Sequence, residues 1–275
     1  MFIRHLSIAV IVKFFMLSFI LPVQANGECE ILQKGSTGIV AKVVDGDSLL
    51  LSNGNKIRLI GIQAPKLALG REGFKDWPLA KEAKAALEEI TLDKTVRLEY
   101  GGARVDRYDR VLAHLFVLNE KKEIWVQREM LERGFARVYS FADNRSCLEP
   151  LLQAEARARV EKKNIWANSY YNIRYANKPD KLLPLVDHYE LVEGAVLSAK
   201  RVGSRRYLNF GETYQNDFTI VIEKSAWRLF KKAGIKLSDY QNALIRVRGW
   251  VEIYGGPRIE VTHPEQIEIL AIKSQ

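Results

Sequence analysis

No apolar run in this sequence is long enough to span a membrane without interruption. A spanning helix takes about 20 consecutive apolar residues, and the most apolar stretch, near the N-terminus, is broken by Lys13. It has instead the form of a targeting segment. Arg4 and Lys13 supply a positive end, residues 14–21 a short apolar run, and Val23-Gln24-Ala25 a small-residue cleavage site. Residues 1–25 are therefore expected to be a signal peptide that exports the chain to the periplasm or the medium; a retained N-terminal membrane anchor is the alternative. Cysteine is nearly missing too: Cys29 and Cys147 are enough for one disulfide and no more. Both outlast cleavage, and in an oxidising compartment their even count points to a bridge between the mature N-terminus and a distant loop, with two free thiols as the alternative. Glu28 before Cys29 argues against a lipid-modified cysteine, which follows a small residue. No period of solenoid length recurs. Nor is there an acidic excess: the formal charge of +9 loses two with Arg4 and Lys13, leaving +7 on the mature chain, a sign that favours anionic partners.

What is present is β-pattern interrupted by helices. Two strand-like runs between Gly38 and Ile62 flank Ser52-Asn53-Gly54-Asn55, and Asn-Gly between alternating apolar residues is a strong hairpin signal. Leu79, Ala83, Ala86, Leu87 and Ile90 fall at helical spacing after Pro78. Strands are expected at residues 96–100 and 111–118, and helices at 124–133, stopped by Gly134, and at 148–163. Between Asn168 and Asp187 the periodicity fades into Tyr, Asn, Lys and the prolines Pro179 and Pro184, which reads as a linker. Strand patterns resume at 192–201, 206–210, 217–222, 244–254 and 258–261, with a short helix at 225–234. The predicted chain is β-rich α+β: an OB-type five-stranded barrel with helices at 37–167, a linker at 168–187, and a second, smaller OB-like β domain at 188–275.

Four segments of the first domain carry chemistry-bearing side chains: Asp45-Gly46-Asp47-Ser48, Arg58-Leu59 running to Gln63-Ala64-Pro65-Lys66, Asp106-Arg107-Tyr108-Asp109-Arg110, and Lys162-Lys163-Asn164-Ile165-Trp166. Each has a plain reading, since Asp-Gly-Asp is ordinarily a turn. Arg58 shares an apolar strand face with Ile60 and Ile62, which fits a structural ion pair with Asp47 or Asp45 as well as it fits phosphate binding. In this order and spacing the four segments resemble the staphylococcal nuclease (thermonuclease) family over residues 38–166. That resemblance implies phosphodiester hydrolysis of DNA or RNA, in which two arginines hold the scissile phosphate, two carboxylates hold Ca2+ and a glutamate positions water. Arg58 and Arg110 match the arginines and Asp47 one calcium carboxylate. The other calcium position falls on Gln63 and the glutamate position on Lys66, so the catalytic set is Arg58, Arg110 and an altered Lys66, and the metal set is Asp47 and an altered Gln63. One carboxylate, one amide and a nearby ammonium predict weak or absent calcium binding, while phosphate affinity survives on the cationic side chains. Glu72 and Asp76, in the next loop, are the candidates to replace the missing carboxylates.

Further nucleic-acid contacts are expected from Arg157, Arg159, Lys162 and Lys163 on the basic helix. In the second domain, alternation points Ile245, Val247, Gly249, Val251 and Ile253 inward and Arg246, Arg248 and Trp250 outward. Arginines beside an exposed ring suit a single-strand platform; the alternative packs Trp250 on the first domain. The leading expectation is an exported, monomeric nuclease that needs no protein partner. The rivals are a binding module that has lost calcium-dependent cleavage and an envelope protein that reuses the barrel for another anionic ligand.

Overall fold

A tight turn at Gly46-Asp47 joins the antiparallel strands β1 (Gln33–Asp45) and β2 (Ser48–Leu51). They belong to a computed structural model that describes residues 29, 32–119, 122–213 and 216–272; the expected signal segment at 1–25 lies outside them. Asn53-Gly54 makes the next hairpin, with Gly54 at φ 89°, and leads into β3 (Lys56–Leu59). Beyond Leu59 the strand breaks, because Gly61 takes φ 83° and sends β4 (Gly61–Gln63) away from the sheet. Helix α1 (Ala80–Thr91) follows, burying Ala83, Ala86, Leu87 and Ile90. Then come β5 (Thr95–Tyr100), β6 (Val111–Val117), β7 (Ile124–Trp125), α2 (Val126–Glu132), β8 (Arg137–Tyr139) and α3 (Leu148–Val160).

The sheet order β3-β2-β1-β5-β6-β7 closes on itself where β3 pairs parallel with β6, giving a five-stranded barrel of β1, β2, β3, β6 and β5. Its core is one aliphatic cluster that includes Val40, Leu49, Leu59, Leu98 and Leu115. The short ribbon of β4 and β8 stands outside the barrel and pairs Gln63 with Arg137. Cys29 and Cys147 face each other with Cα atoms 5.4 Å apart and join the segment ahead of β1 to the start of α3, a spacing that suits a disulfide.

The second domain comprises β9 (Arg174–Tyr175), β10 (Tyr189–Ala195), β11 (Ser198–Val202), β12 (Arg205–Asn209), β13 (Thr219–Ile222), α4 (Lys224–Lys232), β14 (Ala243–Tyr254), β15 (Gly256–Glu260) and β16 (Ile267–Ile272). The sheet runs β11-β12-β13-β15-β14-β10-β9, with β16 also on β14. It wraps a separate core that includes Phe218, Phe230, Tyr240 and Val247.

The segment read as a linker is packed structure. Ala176 and Leu182 are buried in the second core, β9 adds a parallel strand beside β10, and the Tyr171 hydroxyl donates to the Pro78 carbonyl at 2.6 Å. Its prolines occupy the first or second position of 3₁₀ turns at Pro179–Lys181 and Leu183–Leu185, which lack helical or strand periodicity and so imitate a loop in sequence. The run expected at 192–201 is two strands, and β16 carried no strand expectation. Helix α3 ends at Val160, ahead of Lys162 and Lys163. Among the described residues no helix is long and apolar enough to cross a membrane.

The two domains meet through buried charge. Arg248, 1% exposed, donates from Nη1 to Glu155 Oε2 at 2.8 Å and from Nη2 to Glu155 Oε1 at 3.1 Å, and Nη2 also reaches Glu268. Glu155, with no exposed surface, accepts the Val138 N–H at 2.6 Å as well. Burial pushes the Glu155 carboxyl up, but Arg248 and Arg159 outweigh it and hold the group below its ordinary range. Around this pair, the Tyr189 hydroxyl donates to the Val138 carbonyl at 3.2 Å, Ser140 Oγ lies 2.7 Å from His263 Nε2, and Arg145 clasps Glu265 at 2.9 and 2.5 Å. Arg246 is held by Glu193 and Glu268. The expectation that Arg246 and Arg248 face solvent is thus overturned. The alternation holds from Ile245 to Val251, but the outward face of β14 is turned onto the first domain and onto acidic partners from other elements. Ile253, expected inside, is 60% exposed at the open end of the strand.

Candidate active site

Gly46 lets two carboxylates collect at one end of the barrel. A Cβ there would come within 2.5 Å of Ala64 Cβ and 2.9 Å of Ala83 Cβ, so α1 and the segment after β4 press directly on the turn and seal Asp47 from solvent. A buried carboxylate stays ionised only when it is paired. The Ala64 N–H donates to Asp47 Oδ2 at 2.8 Å and the Ser48 hydroxyl to Oδ1 at 3.2 Å. Arg58 Nη2 stands 3.4 Å from Oδ2, and Lys66 Nζ donates to Oδ1 at 2.8 Å and to Oδ2 at 2.7 Å. Burial pushes the Asp47 carboxyl up, but the two cations outweigh burial and hold it well below the usual carboxylate range. Asp45 lies 4.0 Å from Lys66 Nζ. Burial first, and the charge of Asp47 next, push its carboxyl up.

Arg58 sits on β3 among apolar neighbours, and its guanidinium is steadied by the carbonyls of Leu59, of Asp47 at 3.4 Å and of Ile62 at 2.7 Å. Arg58 pairs with Asp47, as the ion-pair reading expects, and also lines a cleft of about 1180 Å³. Lys66, Gln63, Asp45 and Arg110 line the same cleft. Arg110 arrives on a loop organised by Asp106, which accepts the N–H groups of Tyr108 at 2.9 Å and Arg110 at 3.0 Å and the Arg110 Nε–H at 2.8 Å. Burial raises the Asp106 carboxyl, but these bonds and the Arg110 charge win and lower it. Tyr108, 60% exposed, stands beside the guanidinium groups of Arg107 and Arg110, 4.9 and 5.5 Å from its ring centre. The site therefore brings Arg58, Arg110 and Lys66 to one concave surface with Asp47 beneath.

Gln63 is directed elsewhere. Its Oε1 accepts the Arg137 Nε–H at 3.1 Å across the β4–β8 ribbon, and Arg137 is itself buried. A calcium ion takes six to eight oxygen ligands at about 2.3–2.6 Å. The oxygens at the two family calcium positions do not fit it, because both Asp47 oxygens are bonded to an ammonium and the Gln63 carbonyl to a guanidinium. Asp76 Oδ1 accepts the Ala68 N–H at 2.7 Å and serves its own loop; neither it nor Glu72 lines the cleft. Among the described residues no group of three or more His, Cys, Asp or Glu is placed to hold a metal.

The basic helix does not face this cleft either. Arg157 pairs with Glu132, Arg159 with the buried Glu155, and Lys163 with Glu161, so each of these cations has an acidic neighbour, and none of them lines the cleft. Lys162 is exposed in the turn after α3. Trp250 does reach the cleft, together with Tyr139 and Phe141. Tyr139 and Arg137 belong to none of the four chemistry-bearing segments. No local pattern marks these two, since strand pairing and domain docking set their positions.

Residues 56–168 match a family described as Staphylococcal nuclease homologue. Over 137 residues the chain is 31% identical to the thermonuclease of Staphylococcus hyicus, an alignment covering 47% of this chain and 75% of that protein. The thermonuclease of Staphylococcus intermedius is 26% identical over 136 residues, covering 48% of this chain and 77% of that protein. A probable endonuclease LCL3 of Phaeosphaeria nodorum is 35% identical over 134 residues, covering 47% of this chain and 44% of that protein.

Proposed function

Because this chain belongs to the staphylococcal nuclease homologues, we propose that it hydrolyses phosphodiester bonds of nucleic acid in the cleft lined by Arg58, Lys66 and Arg110, with less dependence on calcium than its thermonuclease relatives. The observation that carries this reading is the contact of Lys66 Nζ with both carboxylate oxygens of Asp47. It puts a fixed positive charge on the one carboxylate that matches the family's calcium ligands.

The chemistry asks for positive charge. Attack of water on phosphorus forms a new P–O bond while the bond to the leaving oxygen breaks, and the intervening pentacovalent species carries more negative charge than the diester. Planar guanidinium groups stabilise that species through paired N–H donors, and an ammonium adds a point charge. The attacking water loses a proton and the leaving oxygen gains one. Asp47 holds Lys66 and Arg58 in position without touching substrate, because it has no exposed surface.

A second reading, a binding module without cleavage, draws on the lack of a carboxylate at the position of Lys66, where the family's water-positioning glutamate falls. The facing pair Cys29 and Cys147 supports an oxidising compartment for either reading.

A gel assay separates them, with labelled single- and double-stranded substrates, calcium or chelator, and Arg58→Ala as control. Cleavage that persists in chelator and disappears in Arg58→Ala carries the proposal. Cleavage abolished by chelator overturns the role given to Lys66. A salt-sensitive mobility shift with no cleavage in either condition selects the binding module.

A further inference from the structure

Resting on the nucleic-acid reading of the cleft, we propose that the second domain supplies a base-stacking wall to the first domain's site through Trp250, and that this wall selects unpaired nucleotides.

Trp250 lies on β14, two residues after Arg248 and four after Arg246, so the three share one strand face. Arg248 is drawn into the first domain by Glu155, and this anchor sets where the strand runs next. Two residues further along, that face emerges at the cleft rim, where Trp250 is 43% exposed and lines the same cavity as Arg58, Lys66 and Arg110.

The indole is held before any ligand arrives. Its Nε1–H donates to the Tyr139 hydroxyl at 3.2 Å. The Tyr139 ring meets it edge to face, with centres 6.4 Å apart at 84°, and Tyr189 meets it at 6.0 Å and 70°. Tyr189 is buried and stands opposite Trp250 in the β10–β14 ladder. A tryptophan left this exposed while one edge is bonded and two rings pack against it presents a preset surface, and ordering it on binding costs little further entropy.

The chemistry that recognises such a surface is an unpaired nucleobase whose phosphates lie on the cationic side of the cleft. Every base has a π face, so stacking tolerates sequence. In a duplex those faces are already covered by neighbouring bases, and the ring gains no comparable contact. The expected ligand is single-stranded nucleic acid, or a locally melted duplex.

The test uses the full chain and a phosphorothioate thymidine oligonucleotide, which resists hydrolysis, with an abasic oligonucleotide of equal length and a duplex as comparisons. Trp250→Leu keeps apolar packing without a π face; Trp250→Phe keeps a ring. Leu is expected to weaken thymidine-oligonucleotide binding about tenfold and Phe by no more than about threefold, with abasic and duplex binding unchanged in both. Thermal melts of each variant verify folding. Equal binding by Trp250→Leu and wild type overturns the proposal, and so does an equal loss on the abasic oligonucleotide. The gel assay reports separately on hydrolysis: a wild type that shows the Trp250 effect without cleaving overturns the hydrolytic reading and leaves the wall, whereas a wild type that cleaves while Trp250→Leu binds normally overturns the wall alone.

Discussion

Lys66 Nζ stands 2.8 Å from Oδ1 and 2.7 Å from Oδ2 of Asp47, a bidentate contact between a side chain at the cleft surface and a carboxylate with no exposed surface. The ammonium comes from the segment after β4 and the carboxylate from the β1–β2 turn, and Gly46 lets the two segments touch. Asp47 is thereby kept ionised and the Lys66 side chain kept at the cleft.

Replacing that ammonium with a carboxylate should restore a demand for metal. Lys66→Glu puts a third carboxylate near Asp45 and Asp47, and titration calorimetry is expected to show calcium binding to this variant and little to the wild type. Gln63→Asp adds less by itself, because Arg137 Nε, 3.1 Å from Gln63 Oε1, pairs with the new charge. The double variant should raise calcium-dependent cleavage by about 100-fold or more, the range for restoring a positioned base. Wild-type turnover in calcium equal to that of the double variant would show that the acidic groups act from elsewhere.

Arg248 and Glu155 set the cost of separating the domains. Arg248→Ala leaves a fully buried carboxylate without its main partner and should destabilise the fold by about 3–5 kcal/mol in urea unfolding. Arg248→Met combined with Glu155→Gln removes both charges and should recover most of that loss. Equal unfolding midpoints for Arg248→Ala and wild type would mean that the interface is held by something else.

The Cys29–Cys147 pair closes a loop with a sequence separation of 118. A bridge across that distance stabilises by about 4–5 kcal/mol in the chain-entropy account. Reductant, or replacement of both cysteines by alanine, should lower the melting temperature to the same value. Mass spectrometry of unreduced, unfolded protein that finds both thiols alkylated would refute the bridge.

Stability should fall as pH falls through the histidine range. Burial holds His263 at about 4 and His114 at about 3, each below the ordinary value near 6.5. Between about pH 6.5 and 4 the unfolded chain binds protons at these residues that the folded chain refuses, so stability rises with pH in that window and is lost as pH falls. Asp47 and Glu155, held low, add their losses only below the unfolded carboxylate range. Thermal melts from pH 7 to 4 should show a steady decline that His263→Gln makes shallower; identical slopes would remove His263 as a cause.

Local chemistry was enough to read the barrel. Asn53-Gly54 specified a hairpin, helical spacing specified α1, and the order of the Asp45, Arg58 and Arg110 segments identified the family fold and the cationic groups of the cleft. These signals are legible because each rests on residues within a few positions of one another. Partners far along the chain were not legible. Sequence alternation put Arg246, Arg248 and Trp250 on one face of β14 but could not say what that face meets: Glu155 makes Arg248 an interdomain tie, while Glu193 and Glu268 hold Arg246 within the second domain. The segment at 168–187 looked like a linker because short 3₁₀ turns have no period, yet Ala176 and Leu182 find burial in a core built from later strands. The meeting of Lys66 with Asp47 and the arrival of Trp250 at the cleft likewise depend on the closing of a barrel and the docking of a domain. Burial and pairing across such distances are properties of the folded chain, and tertiary structure alone decided them.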